Sequence, residues 1–70
     1  MKWQTNNKAL SCQIYAMTSR EAAEMRLAAL GNKAFLKWQK GGTDALLTFK
    51  KARDLEMFIA ALPEIASLYK

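Results

Sequence analysis

The chain contains no histidine, a single cysteine (Cys12) and a single proline (Pro63). The missing histidine removes the side chain that most often serves as a general base and as a metal ligand. One cysteine can form neither an internal disulfide nor a cysteine-rich metal site. The carboxylates fall at helical spacings, as Glu21 and Glu24 do, which is typical of a solvated helix face. We therefore expect a protein that is not an enzyme and that uses no cofactor and no metal.

The sequence also lacks a long apolar run and a targeting segment. Its longest apolar stretch, residues 57–62, is far shorter than the roughly 20 residues that a membrane-spanning helix needs. Polar residues 4–7 follow Lys2, where a signal peptide would require an apolar segment. We expect a cytoplasmic protein with no membrane partner.

Charge is unevenly distributed along the chain. The net charge of +5 and the pI near 9.7 would suit nucleic acid, an anionic membrane or an acidic protein as partner. Most acidic residues fall in two helix-like segments, whereas several lysines fall mostly outside them: Lys33, Lys37, Lys40, Lys50, Lys51 and Lys70. The positive field should therefore arise from the strands and loops.

Two segments of the chain resemble each other. Residues 24–38 and 56–70 are identical at 7 of 15 positions in one register, with a spacing of 32. Such a repeat favours a fold built from two copies of one unit. Paired positions, such as Met25 and Met57, should then share an environment.

The first copy is predicted to be strand, helix and strand. Residues 1–10 are predicted to be a polar lead-in, whose Lys-Trp-Gln segment at 2–4 is either a chance match to 37–39 or a short edge strand. Residues 11–17 have strand character. Thr18 and Glu21 have capping-box spacing, and the helix should end near Leu30, before Gly31 and Asn32. Its predicted apolar stripe is Ala23, Leu27 and Leu30, flanked by Ala22, Met25 and Ala29. Residues 33–40 alternate as a half-buried strand.

The second copy begins after a predicted hairpin turn at Gly41 and Gly42. Residues 43–50 alternate as a strand, and a helix should run from about 52 to 62, where Pro63 should end it. The repeat predicts a final strand over residues 65–70. A closing helix over 63–70 is the alternative.

Together these elements predict one α+β domain over residues 11–70. Two strand–helix–strand units would interleave as a ferredoxin-like βαββαβ two-layer sandwich. Its four-stranded antiparallel sheet would carry both helices on one face and leave the other face open. Inward positions would be Ala34, Leu36, Ala45, Leu47, Phe49, Ala66 and Leu68.

The open sheet face is the predicted binding surface. Alternation places Phe35, Lys37, Lys50 and Tyr69 on it. Tyr15 is ambiguous, because alternation from Cys12 turns it outward, whereas pairing with the hydrophobic strand at 43–50 turns it inward. A bulge near Ala16 would reconcile the two. Aromatic rings among lysines suit single-stranded nucleic acid, since rings stack bases and ammonium groups meet phosphates.

Two family resemblances arise at these residues. Residues 43–62 resemble the third strand and second helix of an RNA recognition motif, with Ala45, Leu47 and Phe49 at buried positions. Ile14 and Tyr15 resemble its first-strand motif, which implies base stacking by Tyr15. The third-strand positions that are aromatic in that family are Asp44 and Leu46 in this chain. Residues 13–24 are similar to the first strand and helix of SPOR domains, which bind peptidoglycan glycan through the same sheet face.

Two functions follow as predictions. The first is a small protein that binds RNA or single-stranded DNA, with base-stacking and phosphate-binding residues Tyr15, Phe35, Lys37, Lys40, Lys50, Lys51 and Tyr69. The second is a regulator or inhibitor of the phage or mobile-element type. It would dock a protein partner or a second copy of itself through Phe35, Leu46 and Tyr69 on the same face.

Overall fold

The computed structural model describes residues 1–68, which form four strands and two helices. The elements are β1 (Lys2–Asn6), β2 (Ser11–Tyr15), α1 (Ser19–Gly31), β3 (Phe35–Gln39), β4 (Asp44–Thr48) and α2 (Ala52–Leu68), with a 3-10 turn at Lys40–Gly42. The strands form one sheet in the order β1-β2-β4-β3, and each neighbouring pair is antiparallel. The predicted α+β class, the four-stranded antiparallel sheet and the two helices are therefore confirmed.

The element order differs from the predicted βαββαβ at both ends of the chain. Residues 1–10 are more than a polar lead-in, since β1 pairs with β2 along its whole length. The strand predicted for residues 65–70 is wrong over 65–68, which belong to α2; residues 69 and 70 lie outside the described part. Pro63 lies inside α2 rather than ending it. Leu62 and Ile65 are both buried, so continuing the helix through the proline keeps both in the core despite one lost backbone hydrogen bond.

One face of the sheet packs against both helices. Its buried residues, Cys12, Ile14, Ala45 and Leu47, form a single cluster with buried side chains of the helices: Met25, Ala29, Leu55, Phe58, Leu62 and Ile65. The Phe49 ring joins this cluster and lies 5.3 Å from that of Phe58, centroid to centroid. The inward positions predicted for β4 and Phe49 are thus confirmed. Ala66, predicted to face inward from a strand, is half-buried in α2, and nothing is described of the Leu68 side chain.

The predicted apolar stripe of α1 is wrong in its rotation. Its buried residues are Glu21, Met25 and Ala29, whereas Leu27 is 67% and Leu30 76% exposed. The capping box supplies the reason. Thr18 N–H donates to Glu21 Oε1 at 2.8 Å, and Glu21 N–H donates to Thr18 Oγ1 at 3.2 Å. The Glu21 side chain that makes this box is buried. Residues spaced by four lie on the same helix face, so Met25 and Ala29 follow Glu21 into the core.

A left-handed residue settles the orientation of Tyr15. Ala16 has φ of 56°, and this turn in the backbone lets Tyr15 point outward while Met17, 5% exposed, points into the core. Met17 N–H donates to the Thr43 carbonyl at 2.7 Å, which holds the segment against β4. The irregularity predicted near Ala16 lies at the end of β2.

Candidate functional site

The sheet face opposite the helices is the candidate site, and we call it the open face. Cross-strand register places its side chains in rows. One row is Asn6, Ser11, Thr48 and Phe35; the next is Gln4, Gln13, Leu46 and Lys37. Lys2 pairs with Tyr15 at the other end of the sheet, where Gln39 pairs with Asp44. The face therefore combines uncharged polar groups with one aromatic ring and one lysine at its β3 edge.

The open face presents no exposed carboxylate within the described residues. Five of the six acidic residues lie in α1 and α2. The sixth, Asp44, is 7% exposed; its Oδ1 accepts the Ala16 N–H at 3.0 Å, and its Oδ2 lies 3.8 Å from Lys40 Nζ. All seven lysines among residues 1–68 are exposed and lie outside α1 and α2. The predicted segregation of charge is thus realised, and the sheet and loops carry the excess positive charge.

One corner of the open face brings an aromatic ring to several cations. Phe35 is 71% exposed and borders a cavity of about 430 Å³ that Lys33, Lys50 and Thr48 also line. A second cavity, of about 490 Å³, shares Lys33 and Lys50 and is completed by Lys51, Arg53, Asp54 and Met57. We call this group, Phe35 with Lys33, Lys50, Lys51 and Arg53, the Phe35 corner.

The structure divides the remaining predicted site residues. Tyr15, 39% exposed, lies at the opposite end of the sheet from Phe35. Four residues along β2 at about 3.4 Å each and two strand gaps of about 4.8 Å separate the two positions by roughly 16 Å. The two rings are therefore too far apart to stack adjacent bases. Lys40 lies at the Tyr15 end and Lys37 between the two ends, while Tyr69 lies outside the described residues.

Sequence reasoning missed two cations of the Phe35 corner, Lys33 and Arg53. Lys33 precedes β3, so the sequence alone places it close to Phe35. That Lys33 also lies near Lys50 depends on the pairing of β3 with β4. Arg53 falls within the predicted second helix and was not singled out, and only the cavity shows that the first turn of α2 joins the lysines.

The single cysteine of the chain is not activated as a nucleophile. Burial raises the pKa of the Cys12 thiol to about 11, although a hydrogen bond with Thr5 opposes the shift. A thiol with so high a pKa is protonated at neutral pH and is a poor nucleophile. Residues 1–68 hold no group of three or more carboxylate, cysteine or histidine side chains placed to bind a metal ion. Within the same range, neither helix combines the length and apolar character needed to cross a membrane.

Comparison with known proteins adds no relative to these observations. No protein-family model, no curated protein and no solved structure matches the chain. The resemblances to RNA recognition motifs and to SPOR domains therefore stay predictions, and the function has to be inferred from the side chains of the open face.

Proposed function

We propose that the protein binds RNA or single-stranded DNA through the open face. The observation that carries this proposal is the Phe35 corner: a phenyl ring that is 71% exposed and shares a cavity with Lys33 and Lys50. A base stacked on Phe35 would bring its flanking phosphates within reach of these lysines. Lys51 and Arg53 extend the cationic surface beyond them.

The expected energies divide between stacking and charge. Stacking of one base on an aromatic side chain contributes about 1–3 kcal/mol and is tolerant of sequence. Each phosphate neutralised by a lysine or arginine contributes a slope of about −0.7 in log affinity against log salt concentration for single strands. Lys37 on the open face, and Tyr15 with Lys40 at its far end, would add contacts for a longer strand.

The test is a titration of fluorescein-labelled eight-nucleotide oligomers, followed by anisotropy at 50 and 200 mM salt. With three phosphate contacts, the affinity should fall roughly twentyfold between the two concentrations. F35A should weaken binding about 5- to 150-fold, the equivalent of one lost stacking contact. Absence of binding at 50 mM salt would refute the proposal.

A matched variant separates stacking from general surface effects. Leu30 is 76% exposed, close to the value for Phe35, but it lies on α1 rather than on the open face. L30A should therefore bind as the unmodified protein does. For charge, K33Q combined with K50Q should flatten the salt dependence, whereas R20Q, which removes an exposed cation from α1, should not.

A protein-docking role is the second candidate, because a specific observation favours it. Leu27 and Leu30 are 67% and 76% exposed on one helix, which leaves apolar area open to a partner. Of the residues predicted to dock a partner through the open face, Leu46 offers less apolar area than these leucines, because it is half-buried between Gln13 and Lys37. Sedimentation would distinguish the roles: L27E with L30E should abolish a homodimer if one forms and should leave oligonucleotide binding unchanged.

The sandwich itself supports a relation to the ferredoxin-like arrangement. In that fold the last strand lies beside the first at the sheet edge. Here β1 takes the place beside β2 that a closing strand would occupy, while the order β2-α1-β3-β4-α2 is unchanged. We propose that the topology is a circular permutation of that arrangement, with β1 in the place of the closing strand.

A further inference from the structure

Two cavities meet at the Phe35 corner and share a wall. The first, of about 430 Å³, is bordered by Phe35, and we call it the Phe35 cavity. The second, of about 490 Å³, is bordered by Met57 of α2, and we call it the Met57 cavity. Lys33 and Lys50 line both. We propose that the Met57 cavity holds the nucleotide next to the one stacked on Phe35, an inference that rests on the proposed nucleic-acid binding.

The shared wall lies at one end of the sheet. Phe35 pairs with Thr48 where β3 begins and β4 ends. Lys33 lies two residues before Phe35 and Lys50 two residues after Thr48, so both lie beyond this end. The Phe35 cavity includes Thr48 of the open face, whereas the Met57 cavity borders the first two turns of α2 in the helix layer. A strand that follows both cavities therefore passes over the end of the sheet.

Met57 gives the second cavity an apolar surface for a base. Its side chain is 55% exposed, whereas the next residue, Phe58, is fully buried. A thioether is flexible and polarizable, and it makes favourable contacts with aromatic rings. Nucleobases are rings of this kind, so one base can rest on Met57 while its neighbour stacks on Phe35. Each cavity thus combines an apolar contact for a base with cations for phosphate.

The charge of the Met57 cavity suits a phosphate backbone. Its lining cations are Lys33, Lys50, Lys51 and Arg53. Asp54 is the one carboxylate among the lining residues, so four positive charges less one negative leave a net charge of +3. None of these cations takes part in the ion pairs described within residues 1–68, so their charge is available to phosphates. The two lysines of the shared wall are placed to meet the phosphate that links the two nucleotides.

The open face offers no comparable position beside Phe35. The row across the sheet continues from Phe35 with Thr48, Ser11 and Asn6, which carry neither a ring nor a charge. In the next row, Lys37 is followed by a half-buried leucine. The nucleotide beside Phe35 therefore finds apolar surface and cations together in the Met57 cavity.

The first test compares two exposed apolar side chains, with the fluorescein-labelled eight-nucleotide oligomers and the full chain at 50 mM salt. M57A should weaken binding about 2- to 12-fold, because one contact between a thioether and a base is lost. Leu27 is 67% exposed but lies on α1 and lines neither cavity, so L27A should bind as the unmodified protein does. Unchanged affinity of M57A would overturn the inference.

The second test compares two carboxylates of α2. D54N and E56Q each remove one negative charge, but only Asp54 lines the Met57 cavity. D54N should tighten binding about 2- to 5-fold, the size of an interaction between exposed charges. E56Q should have a smaller effect. R53Q should reduce the slope of log affinity against log salt concentration by about 0.7. Equal tightening by D54N and E56Q would contradict the assignment.

Amide NMR locates the strand directly. Addition of an eight-nucleotide uridine oligomer to the ¹⁵N-labelled chain should shift the amide signals of residues 33–35 and 53–57. Binding with shifts confined to the open face would overturn the inference and leave the proposed function standing. No binding of any oligomer at 50 mM salt would overturn both. The same spectrum of each free variant shows that its fold is retained.

Discussion

The segments at residues 24–30 and 56–62 are identical at five of seven positions, yet they bury opposite residues. Both are helical, one in α1 and one in α2. Met25 is buried and its counterpart Met57 is 55% exposed, whereas Leu30 is 76% exposed and its counterpart Leu62 is buried. The repeat therefore preserves a helical segment without preserving its environment, and the inference of two equivalent copies is wrong.

The difference corresponds to a rotation of one helix by about one residue. The buried residues of α2 are Leu55, Phe58, Leu62 and Ile65. Subtracting the repeat spacing of 32 gives positions 23, 26, 30 and 33 of the chain. The residues actually buried in α1 are 21, 25 and 29. One residue is about 100° of helix rotation, at 3.6 residues per turn.

Two unmatched positions explain the rotation. Phe58 gains by burial, whereas its counterpart Arg26 would lose its hydration there and instead lies 5.5 Å from the centroid of the Trp38 ring. At the start of the helices, buried Glu21 corresponds to exposed Arg53. A short repeat in a helix thus specifies amphipathic character, while the positions that differ decide which face turns inward.

The largest expected contrast is between Phe58 and Arg26. F58A removes a fully buried ring that packs on Phe49 and should lower the free energy of unfolding by about 3–5 kcal/mol. R26A removes only a contact with Trp38 at the surface and should cost about 0.5–1 kcal/mol. Urea denaturation followed by circular dichroism measures both. Equal losses would contradict the assigned rotation.

The two leucines give the next contrast and use one chemical change. L62A leaves a cavity in the core and should cost about 2–5 kcal/mol. L30A truncates an exposed side chain and should stay within about 0.5 kcal/mol of the unmodified protein. The same denaturation experiment applies. If L30A were as destabilising as L62A, the outer face of α1 would have to be covered by a partner in solution.

The methionine pair shows the opposite burial from the leucine pair, because Met25 in the first segment is buried and Met57 in the second is exposed. It therefore controls for the case in which substitutions in one helix are always the more destabilising ones. M25A, in the first segment, should cost about 2–5 kcal/mol because the side chain is buried. M57A, in the second, should cost at most about 0.5 kcal/mol. A greater loss in M57A would show that the two helices share the orientation that the repeat first suggested.

Local signals predicted much of the fold. The capping box at Thr18, the Gly41–Gly42 turn and the alternation around Ala45 and Leu47 depend on neighbouring residues, and each lies where it was expected. Gly41 and Gly42 have φ of 65° and 90°, which glycine adopts without strain. The prediction of a C-terminal strand was wrong over residues 65–68 because it was based on the repeat rather than on those residues themselves. They belong to a helix that buries Ile65.

Some residues of the candidate site were predictable from the sequence, but their arrangement was not. Alternation alone placed Phe35 and Lys37 on the outer side of β3. The distance between Tyr15 and Phe35 depends on the strand order, which brings β4 between β2 and β3. The polar cavity beside Gln4 and Asn6 depends on β1, which lies in the part of the chain expected to be a lead-in. Site geometry thus required the long-range pairing that single-sequence patterns do not contain.

The smallest expected effect concerns the helix starts, where Thr18 corresponds to Lys50 at the same spacing of 32. T18A removes the hydroxyl that accepts the Glu21 N–H and should lower the free energy of unfolding by about 0.5–2 kcal/mol. K50A removes an exposed ammonium group for which no capping bond is described, so it should change stability by less than about 0.5 kcal/mol. Hydrogen exchange should localise the loss in T18A to the first turn of α1. If exchange instead rose evenly over α1 and α2, the capping box would not be what anchors Glu21 toward the core. The rotation of α1 would then have to be attributed to Arg26 and to the ion pair between Glu21 Oε2 and the Met1 ammonium group, 3.7 Å apart.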